Sequence, residues 1–270
     1  MPTLSPLAAV LNAAERAGKL SLSTADIAAQ LPHTSPEALR QALQRQLRQG
    51  RLVRPSRGSG RWLILPLQYA ESGSPPLGAW LDDYLARGIV MPYYVGLLSA
   101  AECYGVAPYA VMVTQIMVSK PRRPVTVGRN KLVFLGRQDV DRMPTRWHET
   151  PDGRFRVSTP ELTALDLVQR EDQLGGIARV QAVLEPLAAI CSVRNLQNVL
   201  DATESVPAAQ RLGHLLASFG QDKLARVVSR WLAVRTTRVV DLEAGNPSAG
   251  CCLDTTFKVR VPANMQASNA

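Results

Sequence analysis

The thirty-three residues from 38 to 70 contain no carboxylate and seven arginines: Arg40, Arg45, Arg48, Arg51, Arg54, Arg57 and Arg61. The guanidinium groups of so one-sided a stretch need a scaffold that displays them, and the flanking sequence supplies one. Ser35 offers a side-chain oxygen to the orphan amides of a helix start, Pro36 suits the first helical position, and Glu37 complements the positive end of the dipole. Gly50 closes the element in a left-handed conformation, so the spacing predicts a helix over 35–49. At about 100° per residue, Leu39, Ala42, Leu43 and Leu47 share one stripe, while Arg40, Gln41, Gln44, Arg45 and Arg48 fan out over the opposite side.

Upstream, residues 6–17 read as a first helix with Leu7, Val10, Leu11 and Ala14 on its apolar face. Ser23 or Thr24 caps a short second helix holding Ile27, Ala28 and Leu31, and Pro32-His33-Thr34-Ser35 turns into the third. Downstream, residues 51–54 and 61–65 read as strands joined by Pro55-Ser56-Arg57-Gly58-Ser59-Gly60. Three helices and a basic hairpin within residues 1–70 are the pattern of a winged helix-turn-helix. Arginine offers a planar fork to phosphate oxygens and to guanine O6 and N7, and glutamine pairs with adenine N6 and N7. The expected DNA contacts are therefore Arg40, Gln41, Gln44, Arg45 and Arg48 on the recognition helix and Arg54, Arg57 and Arg61 on the wing. The competing reading is a solvated basic face on an ordinary helical domain.

Charge distribution favours a polyanionic partner. The 270 residues carry 31 basic and 22 acidic side chains, a formal charge of +9, and residues 1–70 alone hold nine basic against three acidic. No apolar run approaches the eighteen or so residues a membrane helix needs, and the start lacks a secretion signal, so a cytoplasmic protein without membrane contact is expected. Cys103, Cys191, Cys251 and Cys252 show neither CxxC spacing nor a nearby histidine pair. Cys103 and Cys191 read as small buried hydrophobes, and Cys251-Cys252 as a loop or edge-strand pair.

Composition shifts at Glu71-Ser72-Gly73-Ser74-Pro75-Pro76-Leu77-Gly78, where residues 71–79 read as a linker to a second domain over 80–262. There, helices are expected over 79–86 and 92–104, a buried strand over 111–119, a hairpin over 124–136 and a strand over 155–158. A helix from Pro160 to the Gly175-Gly176 break precedes helical segments near 177–189, 192–202, 207–219 and 221–234. Short strands come next, over 238–242 and 257–261, and residues 263–270 read as a frayed tail. The fold class is thus α+β: an N-terminal winged helix-turn-helix, then a mixed α/β domain ending in a helical bundle-like region.

A second basic group, Lys120, Arg122, Arg123, Arg129, Lys131 and Arg137, lies in an acid-free stretch between Glu102 and Asp139. It suits phosphate contacts that extend a DNA footprint, and equally a hairpin whose charges face water.

Enzyme chemistry finds little support. His33, His148 and His214 are far apart, and Gly58-Ser59-Gly60 lacks the strand-to-helix context of a phosphate loop. Asp82-Asp83 and Asp139-Val140-Asp141 are the pairs that a divalent cation would need, yet such pairs more commonly serve helix starts and solvated loops. No catalytic residue, metal or cofactor is assigned. The alternatives to a DNA-binding regulator are a metal-dependent nucleic-acid-processing enzyme and a stand-alone transcriptional regulator.

Two segments carry a resemblance. Pro92-Tyr93-Tyr94-Val95-Gly96-Leu97-Leu98-Ser99-Ala100-Ala101-Glu102-Cys103-Tyr104-Gly105 and Arg156-Val157-Ser158-Thr159-Pro160-Glu161-Leu162-Thr163-Ala164-Leu165-Asp166-Leu167, with the run over 111–120 between them, resemble the AbiEi family of antitoxins and transcriptional regulators of type IV toxin–antitoxin systems. Arg211-Leu212-Gly213-His214-Leu215-Leu216 also fits, and the resemblance covers roughly 5–235. It implies a winged helix-turn-helix that binds inverted repeats in its own promoter, as a monomer or a DNA-induced pair, and a C-terminal domain needed for antitoxicity. It also implies a nucleotidyltransferase-like toxin as functional partner, with no stable complex required. Val106-Ala107-Pro108-Tyr109-Ala110 stands where the family often has a histidine and glutamines, so roles tied to those groups do not transfer.

Overall fold

The computed structural model describes residues 5–56, 58–88, 92–243 and 252–262, and leaves undescribed the side chains of 87 and 88. Arg57 of the expected wing, Cys251 and the expected tail over 263–270 lie outside the described residues.

Elements run in the order α1 (Pro6–Arg16), β1 (Ser21–Ser23), α2 (Thr24–Ala29), α3 (Pro36–Arg48), β2 (Leu52–Val53), β3 (Arg61–Ile64), α4 (Leu81–Gly88), β4 (Tyr93–Val95) and α5 (Leu97–Cys103). Next are the strands β5 (Thr114–Val118), β6 (Arg122–Val127), β7 (Asn130–Gly136), β8 (Thr145–Thr150) and β9 (Gly153–Ser158). Then come α6 (Pro160–Gln169), α7 (Glu171–Leu174), α8 (Ile177–Ala188), α9 (Val193–Ala202), α10 (Val206–Ser218) and α11 (Asp222–Ala233), and the short strands β10 (Val240–Asp241), β11 (Cys252–Asp254) and β12 (Val259–Val261). The fold is mixed α+β.

The chain divides into two compact units that do not break at residue 70. One takes the chain up to Tyr94 together with Met112–Gln138 and Trp147–Arg156; the other takes Val95–Val111, Asp139–Arg146 and the residues from Val157 onward. The expected linker is stitched into the first unit. The Arg129 N–H donates to the Ser72 carbonyl at 3.0 Å, the Trp80 indole N–H to the Pro75 carbonyl at 3.1 Å, and the Asn130 amide to Ser74 Oγ at 2.9 Å. A side chain at Gly128, where φ is +53°, would bring its Cβ within 2.2 Å of the Ser72 carbonyl oxygen, so glycine alone permits this approach.

At the start of the first unit, α1, α2 and α3 close over a three-stranded antiparallel sheet in the order β1-β3-β2. One apolar cluster joins them, with Leu7, Leu11, Ile27, Leu39, Leu43 and Trp62 at its heart. Strand β1 is not among the expected elements, because Ser21-Leu22-Ser23 is too short to show an alternation and carries serine at both ends. Its pairing of Ser23 with Arg61 and Ser21 with Leu63 makes β3 the middle strand. A six-stranded sheet in the order β6-β7-β5-β4-β9-β8 falls mostly within this unit, with β7 antiparallel to β6 and parallel to β5.

In the second unit α6 is the hub, packing against α5, α8, α9 and α10. Residues 160 to 168 are all buried, as a helix apolar on nearly every face requires. The expected helix over 92–104 is instead a strand and a shorter helix: the aromatic and β-branched Tyr93-Tyr94-Val95 forms β4, and Gly96 in extended conformation caps α5. Leu97 opens that helix with φ of 55°, a conformation costly for leucine that complete burial of its side chain holds in place.

Candidate nucleic-acid interface

Helix α3 owes its start to Ser35, whose Oγ accepts from the Ala38 N–H at 3.2 Å, and its end to Gly50 at φ +71°. Leu39 and Leu43 are buried, at 4% and 2% exposure, which fixes the helix by its apolar stripe. The opposite side is displayed as expected: Arg40, Gln41, Arg45 and Arg48 are exposed or half-exposed and Gln44 is half-buried. Glu37 does more than complement the dipole. It accepts from Arg40 Nη2 at 2.6 Å and from Gln41 Nε2 at 3.2 Å, contacts that the i+3 and i+4 spacings encode. The hydrogen bond from Arg40, then that from Gln41, holds the Glu37 carboxyl below its ordinary range. Arg45 and Arg48 have no hydrogen-bonding or ionic side-chain partner among the described residues, so the last two turns present unpaired guanidinium groups.

The β2–β3 hairpin, the expected wing, departs from expectation. Arg61 is 4% exposed, with Nη1 3.7 Å from an Asp83 carboxylate oxygen. All four residues of β3 are buried, so both of its faces are covered and Arg61 is enclosed with them. Arg54 lies over the Trp62 ring, 5.4 Å from its centroid, and that indole donates to Thr24 Oγ1 at 2.9 Å. Arg51 donates to Asn12 and lies 3.3 Å from Glu15 on α1. Arg51, Arg54 and Arg61 thus brace the scaffold. Ser59 Oγ donates to the Ser56 carbonyl and accepts from the Arg61 N–H, shaping the loop.

Of the second basic group, Lys120, Arg122, Arg123, Arg129 and Lys131 are exposed. Arg137 is 7% exposed, with its backbone N–H donating to the Val118 carbonyl at 2.7 Å, so it leaves the group. The loop after β2 and strand β6 line a common depression.

The acidic pair on α4 serves as two struts. Asp82 accepts from the Tyr93 hydroxyl at 2.6 Å, and Asp83 faces Arg61. Among the described residues no three histidine, cysteine or acidic side chains gather as a metal site. No described helix is long and apolar enough to cross a membrane. Burial pushes the Cys103 thiol up to about 11 and raises that of Cys191, keeping both protonated near neutrality. Both are half-buried, short of the full burial expected of them.

The segments that carried the resemblance are architectural. Ser158 Oγ lies 2.7 Å from Thr163 Oγ1, the Tyr104 hydroxyl donates to the Ser158 carbonyl, and Glu161 accepts from the Ser192 N–H at 2.7 Å. Gln210 donates to the carbonyls of Arg238 and Phe257, both at 2.8 Å, while His214 Nδ1 meets Asp254 at 2.7 Å. Over these elements, residues 94–218 match the AbiEi antitoxin C-terminal domain. The chain carries an AbiEi antitoxin domain. That family implies an antitoxin role and a toxin as functional partner. Among solved structures, the RV2827C protein from Mycobacterium tuberculosis superposes with a TM-score of 0.65 at 19% identity, over 96% of this chain and 92% of that one. The AbiEi domain and the residues before it therefore share that protein's fold. No curated protein matches the chain.

Proposed function

We propose that residues 5–65 are a winged helix-turn-helix and that the chain is a repressor and antitoxin of the type IV kind. In this reading it binds inverted repeats in its own promoter through α3. Its AbiEi domain serves to counteract a nucleotidyltransferase-like toxin without an obligatory stable complex. The observation that carries the DNA-binding part is the outward Arg/Gln face of α3, with Arg45 and Arg48 unpaired and the helix locked from behind by Leu39 and Leu43. Register comes from phosphate contacts and sequence preference from two or three side chains at base edges. The work is binding, with no reaction assigned to any residue.

The test is fluorescence anisotropy of the full chain, in EDTA, on a duplex of its own upstream region and on a random duplex. Contact with six phosphates predicts a loss of affinity of about a thousandfold between 50 and 200 mM salt. Gln44→Ala or Arg45→Ala should cost about 1–3 kcal/mol of preference for the upstream duplex if either makes a bidentate base contact. Equal affinity of wild type and variants for both duplexes would reject readout by α3. Magnesium-dependent cleavage would replace the repressor with an enzyme.

A further inference from the structure

The wing spends its own described arginines internally, on Trp62 and Asp83, yet the surface beside it is strongly basic. Pro55 and Ser56 of the wing loop, Tyr84 of α4, and Arg122, Arg123 and Thr126 of β6 line one open depression of about 520 Å³. The Tyr84 hydroxyl donates to Ser56 Oγ at 3.3 Å, tying the loop to this wall. Three features make β6 unusual. It is the outer strand of its sheet, with Pro124 at a position where no ladder donor is required. Between Arg122, paired with Phe134, and Val125, paired with Leu132, one extra residue bulges, and both neighbouring arginines are exposed where a regular strand would alternate. Neither arginine has a carboxylate partner among the described residues, whereas Arg40, Arg142, Arg154 and Arg260 each have one.

We infer that Arg122 and Arg123 are the phosphate clamps of the wing, supplied by a strand more than sixty residues downstream of it. Resting on the DNA-binding reading above, this assigns the backbone contacts beside the wing to β6, with Ser56 and Thr126 as neutral donors and Lys131, paired with Thr126, continuing the strip. A duplex backbone is the occupant that the chemistry fits. Forked donors match phosphate oxygens, and no large exposed apolar side chain lies on the strip to anchor a protein partner.

The experiment titrates the full chain against a 30-bp random duplex by anisotropy, from 50 to 200 mM KCl. Loss of two phosphate contacts in the Arg122→Ala/Arg123→Ala variant should flatten the slope of log affinity against log salt by about 1.8, so the fall in affinity across that range shrinks about tenfold. The Lys double variant, R122K/R123K, should restore the slope, and the ratio of upstream to random affinity should stay at the wild-type value. An unchanged slope in the alanine variant, with Arg45→Ala/Arg48→Ala weakened, overturns this inference and leaves the α3 reading intact. If wild type binds no duplex, the DNA-binding reading falls and takes this one with it. An unaltered melting temperature in the double variants confirms that a change in slope is a binding effect.

Discussion

Helices α3 and α6 begin alike and end up opposite. One opens Ser35-Pro36-Glu37 and the other Thr159-Pro160-Glu161, with each hydroxyl capping the amide three residues on, at 3.2 Å and 3.3 Å. Yet Glu37 stands in solvent held by Arg40 and Gln41, whereas Glu161 is 1% exposed and accepts from the Ser192 N–H. The same local signal starts both helices. Their use is decided by the residues beyond the cap: Ala-Leu-Arg-Gln-Ala-Leu-Gln-Arg leaves one apolar stripe, and Leu-Thr-Ala-Leu-Asp-Leu-Val leaves no side free of packing. In this chain the most recognisable stretch of sequence is its core, and the surface suited to binding lies elsewhere.

The two helices should differ most in what they contribute to stability. Leu165→Ala, at a fully buried site of α6, should cost about 2–5 kcal/mol in urea unfolding, through lost transfer energy plus a cavity. A cost near zero would mean that α6 is not the hub of its unit. The two capping-turn glutamates give a smaller contrast. Glu161→Ala strips the Ser192 amide of its acceptor and should cost about 1–3 kcal/mol, while Glu37→Ala should leave stability almost unchanged. Equal costs would erase the distinction drawn between the helices.

The smallest effect is acid titration of Glu37. Its carboxyl ionises below the ordinary range because the folded state binds the charged form, so its contribution is present at neutral pH and fades as pH falls through the lowered value. Side-chain NMR should place its midpoint below that of an ordinary glutamate, and Arg40→Ala should bring it back up. The same midpoint in both proteins would show that the Arg40 contact does not hold in solution.

Much of this arrangement is legible in the chain. Ser35, Pro36 and Gly50 set α3 to within a residue at each end, because caps and turns act through neighbours a few positions away. Arg61 misleads for the converse reason. Whether Arg61 faces water depends on what covers the two faces of β3, and the carboxylate it meets, Asp83, belongs to α4, beyond the module. Tyr93-Tyr94-Val95 is opaque for a related reason, since a short apolar run beside a helix has no period of its own. The linker over 71–79 looks free by composition, but Ser72, Gly73 and Ser74 lie against the β6–β7 turn and Gly78 lies against Thr150 and Gly153.

The interleaving of chain segments in the two units has a kinetic corollary. The first unit draws on residues up to Tyr94, then 112–138, then 147–156, so its sheet awaits β9 long after α3 has left the ribosome. At synthesis rates of about 5–20 residues per second, that delay lasts several seconds. During it the nascent chain exposes unpaired strand edges. Cotranslational folding of this protein should therefore proceed in two stages, with the small helical module first and the six-stranded sheet afterwards.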